Sequence, residues 1–105
     1  MSNATTHVHF TVVDDELRVS VPQELEALSD FFETEIGTSE AMLGLIAHHV
    51  RHERTWQFSG NACHLRVEDE TVTIEHDHTD ARTTLPRADF RDLLTDLRAL
   101  LADLA

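Results

Sequence analysis

Residues 86–104, PRADFRDLLTDLRALLADL, decide the architecture. Phe90, Leu93, Leu94, Leu97, Leu100, Leu101 and Leu104 recur at the i, i+3, i+4, i+7 spacing of a single helical stripe. Asp92, Asp96 and Asp103 fall off it. Pro86 suits the first turn, where its missing N–H costs nothing. A helix with one apolar side is stable only against a cover. The rest of the chain must supply an apolar face.

Immediately upstream the period changes from helical to alternating. Cys63, Leu65 and Val67 point one way, His64 and Arg66 the other. Glu68-Asp69-Glu70 turns the chain, and Val72 and Ile74 then alternate with Thr71, Thr73 and Glu75. Trp56 and Phe58 open this strand group ahead of the Ser59-Gly60-Asn61 break. Residues 76–81 form a polar loop, and Arg82 to Leu85 read as a short extended return.

At the other end, Val8, Phe10 and Val12 and then Leu17, Val19 and Val21 flank the polar turn Asp14-Asp15-Glu16, which predicts a β-hairpin. Pro22 opens a helix through Leu25, Leu28, Phe32 and Ile36, with Gly37 as its stop. Ser39 caps a second helix through Met42, Leu43, Ile46 and Val50, fraying near residues 52–54. The order ββααβββα predicts an α+β fold, an antiparallel sheet of about five strands with three helices packed on one face. A chain of 105 residues makes one domain. Residues 1–6 are expected to be disordered.

Twenty acidic residues face eight basic ones, all arginine, for a net charge of −12. This balance disfavours nucleic acid and anionic membranes as partners. Arginine-only basicity fits a GC-rich genome, and in a halophilic host such acidity is a solubility trait. No secretory apolar region opens the sequence and no run approaches a membrane span, so a cytoplasmic location is expected. The single cysteine, Cys63, excludes an internal disulfide and reads as a small buried apolar residue.

The chain has eight histidines. His48 and His52 stand at i, i+4, a spacing that can chelate Zn²⁺ or Ni²⁺. Their segment, His-His-Val-Arg-His, lacks the glutamate of a His-Glu-x-x-His protease helix, so a hydrolytic centre is not supported. His76 and His78, beside Asp77 and Asp80, form a second candidate pair. Solvated or half-buried histidines are the plainer reading of both. No phosphate-cradling loop, dinucleotide fingerprint, nucleophile elbow or Cys-x-x-Cys is present, so no catalytic residue, cofactor or enzymatic activity is expected.

The acidic clusters are Asp14, Asp15 and Glu16; Glu24 and Glu26; Asp30, Glu33 and Glu35; and Glu68, Asp69 and Glu70. They serve solubility, or form a negative face for a basic protein.

Trp56-Gln57-Phe58-Ser59-Gly60-Asn61, then Leu65, Val72-x-Ile74, Leu85 and Phe90-x-x-Leu93-Leu94 form one layout. It resembles that of small bacterial immunity proteins of contact-dependent and polymorphic toxin systems, and of the YacL-type proteins. The resemblance covers about two-fifths of the chain. It implies a Trp/Gly-containing hairpin, a further strand and a terminal amphipathic helix, and it carries over no functional residue. The leading expectation is a non-enzymatic binding module that sequesters a basic protein, such as a nuclease toxin. The alternatives are a structural or regulatory housekeeping domain, for which a homodimer is one form, and a histidine-based metal-binding protein.

Overall fold

The alternation at the amino end produces an antiparallel hairpin, β1 (His9–Val13) and β2 (Glu16–Ser20), in the computed structural model, which describes residues 8–104. The expectation for residues 1–6 lies outside the described residues. Val13 pairs with Glu16, leaving Asp14 and Asp15 as a two-residue loop with φ of 54° and 66°. Two consecutive left-handed residues match the twist of a tight hairpin, and aspartate tolerates that region better than most residues.

Pro22 is extended (φ −61°, ψ 156°) and precedes a 3-10 turn, Gln23–Leu25. Helix α1 (Glu26–Phe31) follows and widens into a π-helical segment, Phe32–Ile36. The Gly37 N–H closes that segment on the Phe32 carbonyl at 2.7 Å, with Gly37 at φ 55°. The Ser39 hydroxyl accepts from the Met42 N–H at 3.2 Å and starts α2 (Glu40–His52), as the sequence predicts. Strands β3 (Thr55–Ser59), β4 (Cys63–Glu68), β5 (Thr71–His76) and β6 (Arg82–Pro86) come next, and α3 (Arg87–Leu104) ends the chain. Pro86 closes β6 rather than opening α3.

The α+β class holds, but the single sheet of about five strands does not. There are two antiparallel sheets, β1-β2 and β3-β4-β5-β6. The extended return at Arg82 is a full strand, with Leu85 paired to Val72 and Thr83 to Ile74. Side chains explain why the hairpin stays apart. The Val19 N–H points away from β1 and donates to Glu33 Oε2 at 2.7 Å, and the Ser29 hydroxyl donates to the Val19 carbonyl. The edge on which another strand would add is satisfied by the helical segment instead.

Leu65 lies between Phe58 and Ile74, and Val67 between Trp56 and Val72, so the inner face of the four-stranded sheet is apolar. Helix α1 packs on β5 and β6, α3 reaches the same strands, and α2 lies against α3. All five phenylalanines form one connected cluster. Phe32 meets Phe10 of the hairpin at 5.1 Å and Phe90 of α3 at 5.8 Å; Phe31 meets Phe58 and Phe90 at 6.1 Å. Tilted and edge-on pairs of this kind are favourable beyond their buried area. Both sheets therefore share one core, with Phe31, Phe32 and Phe90 fully buried. On α3, Phe90, Leu93, Leu94, Leu97 and Leu101 are buried, while Leu104 at its end is exposed.

Candidate functional site

The acidic residues divide by role. Glu33 and Glu35 are two residues apart and leave opposite sides of the π-helical segment. Glu33 ties to β2, as described. Glu35, which the sequence places with the solvated acidic clusters, is 8% exposed. Its carboxylate accepts the Asn61, Ala62 and Cys63 N–H groups at 2.8, 2.9 and 3.0 Å. Successive main-chain N–H groups make an anion-binding concavity. Here the anion is the protein's own side chain. Gly60 makes room for it, since a Cβ there would sit 1.9 Å from Glu35 Oε1.

Asp30 is half-buried, with Oδ2 at 4.0 Å from His76 Nε2. Asp14, Asp15 and Glu16 are exposed at the hairpin turn, and Glu16 pairs with Arg18 at 2.8 Å. Glu68, Asp69 and Glu70 are exposed at the β4–β5 turn, where Asp69 pairs with Arg54 at 2.6 Å and Glu68 with Arg66 at 3.5 Å. The two turns do not form one patch. Asp15 shares a recess with Leu101 and Leu104, whereas the Glu70 carbonyl accepts the N–H of Arg87. From Arg87 to Leu101 the helix rises about 21 Å.

The His48 and His52 rings lie 4.7 Å apart on the exposed side of α2. His78 donates its N–H to His76 Nδ1 at 3.1 Å, and their rings are 5.9 Å apart. Among the described residues no group of three or more His, Cys, Asp or Glu side chains is placed to hold a metal ion. Each pair offers two ligands, where a closed zinc site takes four. His49 stacks on Trp56 at 4.5 Å and 13° and hydrogen-bonds Glu53.

Cys63 is fully buried. Burial first, then the charges of Glu35, Asp30 and Asp77, push its thiol up to about 12. It is held as the thiol, the unreactive form.

Arg87 has a role that its sequence position conceals. Its guanidinium donates to the carbonyls of Val50 at 2.8 Å, Glu53 at 2.6 Å and Arg54 at 2.6 Å, and also to that of Asp69. These are the orphan acceptors at the end of α2 and in the loop after it. A second arrangement absent from the sequence reading is a cleft between α2 and α3 lined by Arg51, Arg91 and Arg98. Arg91, Thr95 and Arg98 share one side of α3 at i, i+4, i+7, a signal present in the sequence. That Arg51 faces them depends on how the helices pack.

No protein-family model, curated protein or solved structure matches the chain. No helix among the described residues is long and apolar enough to cross a membrane.

Proposed function

We propose that this protein is a non-enzymatic binding module whose exposed carboxylates engage a basic protein, in the manner of an immunity-type inhibitor. The observation that carries this reading is the state of Asp14, Asp15 and Glu70. All three are exposed and none has a cation within salt-bridge distance among the described residues. They stand on tight turns of paired strands, so their presentation costs little ordering entropy on binding. Set on a net charge of −12, such groups steer a basic partner and fix its orientation. A nuclease, with a cleft built for phosphates, has complementary chemistry.

The test is capture from the native host at low and high salt, followed by binding measurements on the identified partner. A basic protein should be retained at low salt and released at high salt. Replacing Asp14 and Asp15 by Asn and Glu70 by Gln should slow its association about tenfold or more. Retention of no basic protein at low salt, or an unchanged association rate in the variant, rejects the reading.

A further inference from the structure

Arginines are the only basic residues besides histidine in this chain, and half of the eight are committed. Arg18 pairs with Glu16, Arg54 with Asp69, and Arg66 with Glu68 and Glu75, while Arg87 is taken up by main-chain carbonyls. Arg51, Arg91 and Arg98 are different. Among the described residues none of them has a carboxylate oxygen within 4.0 Å, and none donates a side-chain hydrogen bond. Yet all three line one shallow cleft between α2 and α3, walled by Ala47, Leu94 and Thr95. An adjoining recess shares Arg51 and Arg98 and adds His48 and His52.

With twenty acidic residues against eight arginines, three guanidiniums nonetheless share one cleft with no carboxylate partner among the described residues. Facing one another without an acid, they repel. An anion between them converts that repulsion into attraction. The two helices also bring the groups close. Arg91 and Arg98 are two turns apart on one side of α3, about 10 Å along the axis. Arg98 Nη2 lies 3.6 Å from the position a Cβ would take on Gly44, so the guanidinium rests over bare backbone of α2.

We infer that this cleft binds a single phosphate-type dianion, free or carried on a small molecule. The planar donor forks of arginine match the oxygens of such a group in pairs. Thr95 adds a hydroxyl, although that hydroxyl also donates to the Arg91 carbonyl at 3.0 Å. The charge of the whole chain sets the size of the ligand. Salt screens charges over about 8 Å, so a compact dianion in the cleft feels chiefly the three arginines. A polyanion extends beyond them and meets the carboxylates of a −12 chain, beginning with Asp92 and Asp96 of α3.

The experiment is titration calorimetry with two-dimensional amide NMR on the whole chain, at low salt in phosphate-free buffer. The probes are inorganic phosphate, phenyl phosphate and a short single-stranded oligonucleotide. One phosphate or one phenyl phosphate per chain is expected, with shifts concentrated at Gly44, Ala47 and Thr95. Tighter binding of phenyl phosphate marks an organic carrier, and tighter binding of inorganic phosphate marks the free ion. Arg51→Gln with Arg98→Gln should weaken binding at least about tenfold. These side chains are exposed, and the melting temperature of the variant shows that its fold is kept. Arg82→Gln, which removes an exposed arginine of β6 that also has no carboxylate within 4.0 Å among the described residues, should leave affinity unchanged. Absence of heat with both phosphates, equal affinity in the double variant, equal loss on Arg82→Gln, or tighter binding of the oligonucleotide each overturns the inference.

Discussion

Gly60 and Glu35 occupy a space that only one of them can fill. A methyl group on residue 60 would lie 1.9 Å from one carboxylate oxygen of Glu35 and 2.8 Å from the other. Gly60→Ala therefore expels the carboxylate from its three N–H donors without straining the backbone at residue 60, which is not left-handed. Glu35→Ala removes the same acceptor directly. Each change is expected to cost about 3 kcal/mol, because buried donors lose a charged partner. The double variant should cost clearly less than the sum, since the clash disappears with the carboxylate. Urea unfolding of the four proteins measures this, and simple additivity would refute the coupling.

Arg87 and Arg54 lie side by side, but only one of them ties elements together. Arg54 meets Asp69 in solvent, where ion pairs contribute little. Arg87 satisfies carbonyls from the end of α2 and the loop after it, and the carbonyl of Asp69 in the β4–β5 turn. Arg87→Lys keeps the charge and loses the planar fork, and should cost about 2 kcal/mol. Arg54→Ala should hardly move the melting temperature. Calorimetric melting of both variants decides, and a larger effect at Arg54 would reverse the assignment.

The Cys63 thiol ionises near 9.0 in the absence of the fold, and burial raises it to about 12. The folded state thus disfavours the thiolate. This contribution is whole below pH 9 and is lost as pH rises from there toward about 12. Native protein should leave a thiol reagent unreacted at pH 8, with stoichiometric reaction after unfolding. Replacing Cys63 by Ala should flatten the fall of stability on the alkaline side.

Gly44 sits inside α2, where glycine is a poor helix former. A Cβ there meets only Arg98 Nη2, at an ordinary 3.6 Å. Gly44→Ala is expected to stabilise the protein by about 0.5–1 kcal/mol, read as a higher denaturation midpoint with an unchanged slope.

What was legible in the sequence was what depends on neighbours along the chain. The α3 stripe, the two hairpin groups, the Ser39 cap and the Gly37 stop all follow from local periodicity or a local hydrogen bond. The division into two sheets was not legible, because it rests on Glu33 and Ser29 reaching Val19 from fourteen and ten residues away. Glu35 looked like solvated charge for the same reason. Its burial is set by the amides of Asn61 to Cys63, 26 to 28 residues further on. The arginine cleft needed the docking of α2 on α3, which period alone does not specify. Both prolines were read one step inward, since φ near −65° suits an extended residue before a helix as well as its first turn.

The two glutamates of the π-helical segment have a kinetic consequence. Glu33 holds the Val19 amide on the side of β2 that has no strand, while Glu35 holds the loop of the other sheet. Opening either sheet releases the same short segment. The amides of Val19 and Cys63, about as far apart in kind as an edge position and a hairpin core, should then exchange their protons for deuterium at matched rates, through one shared opening event.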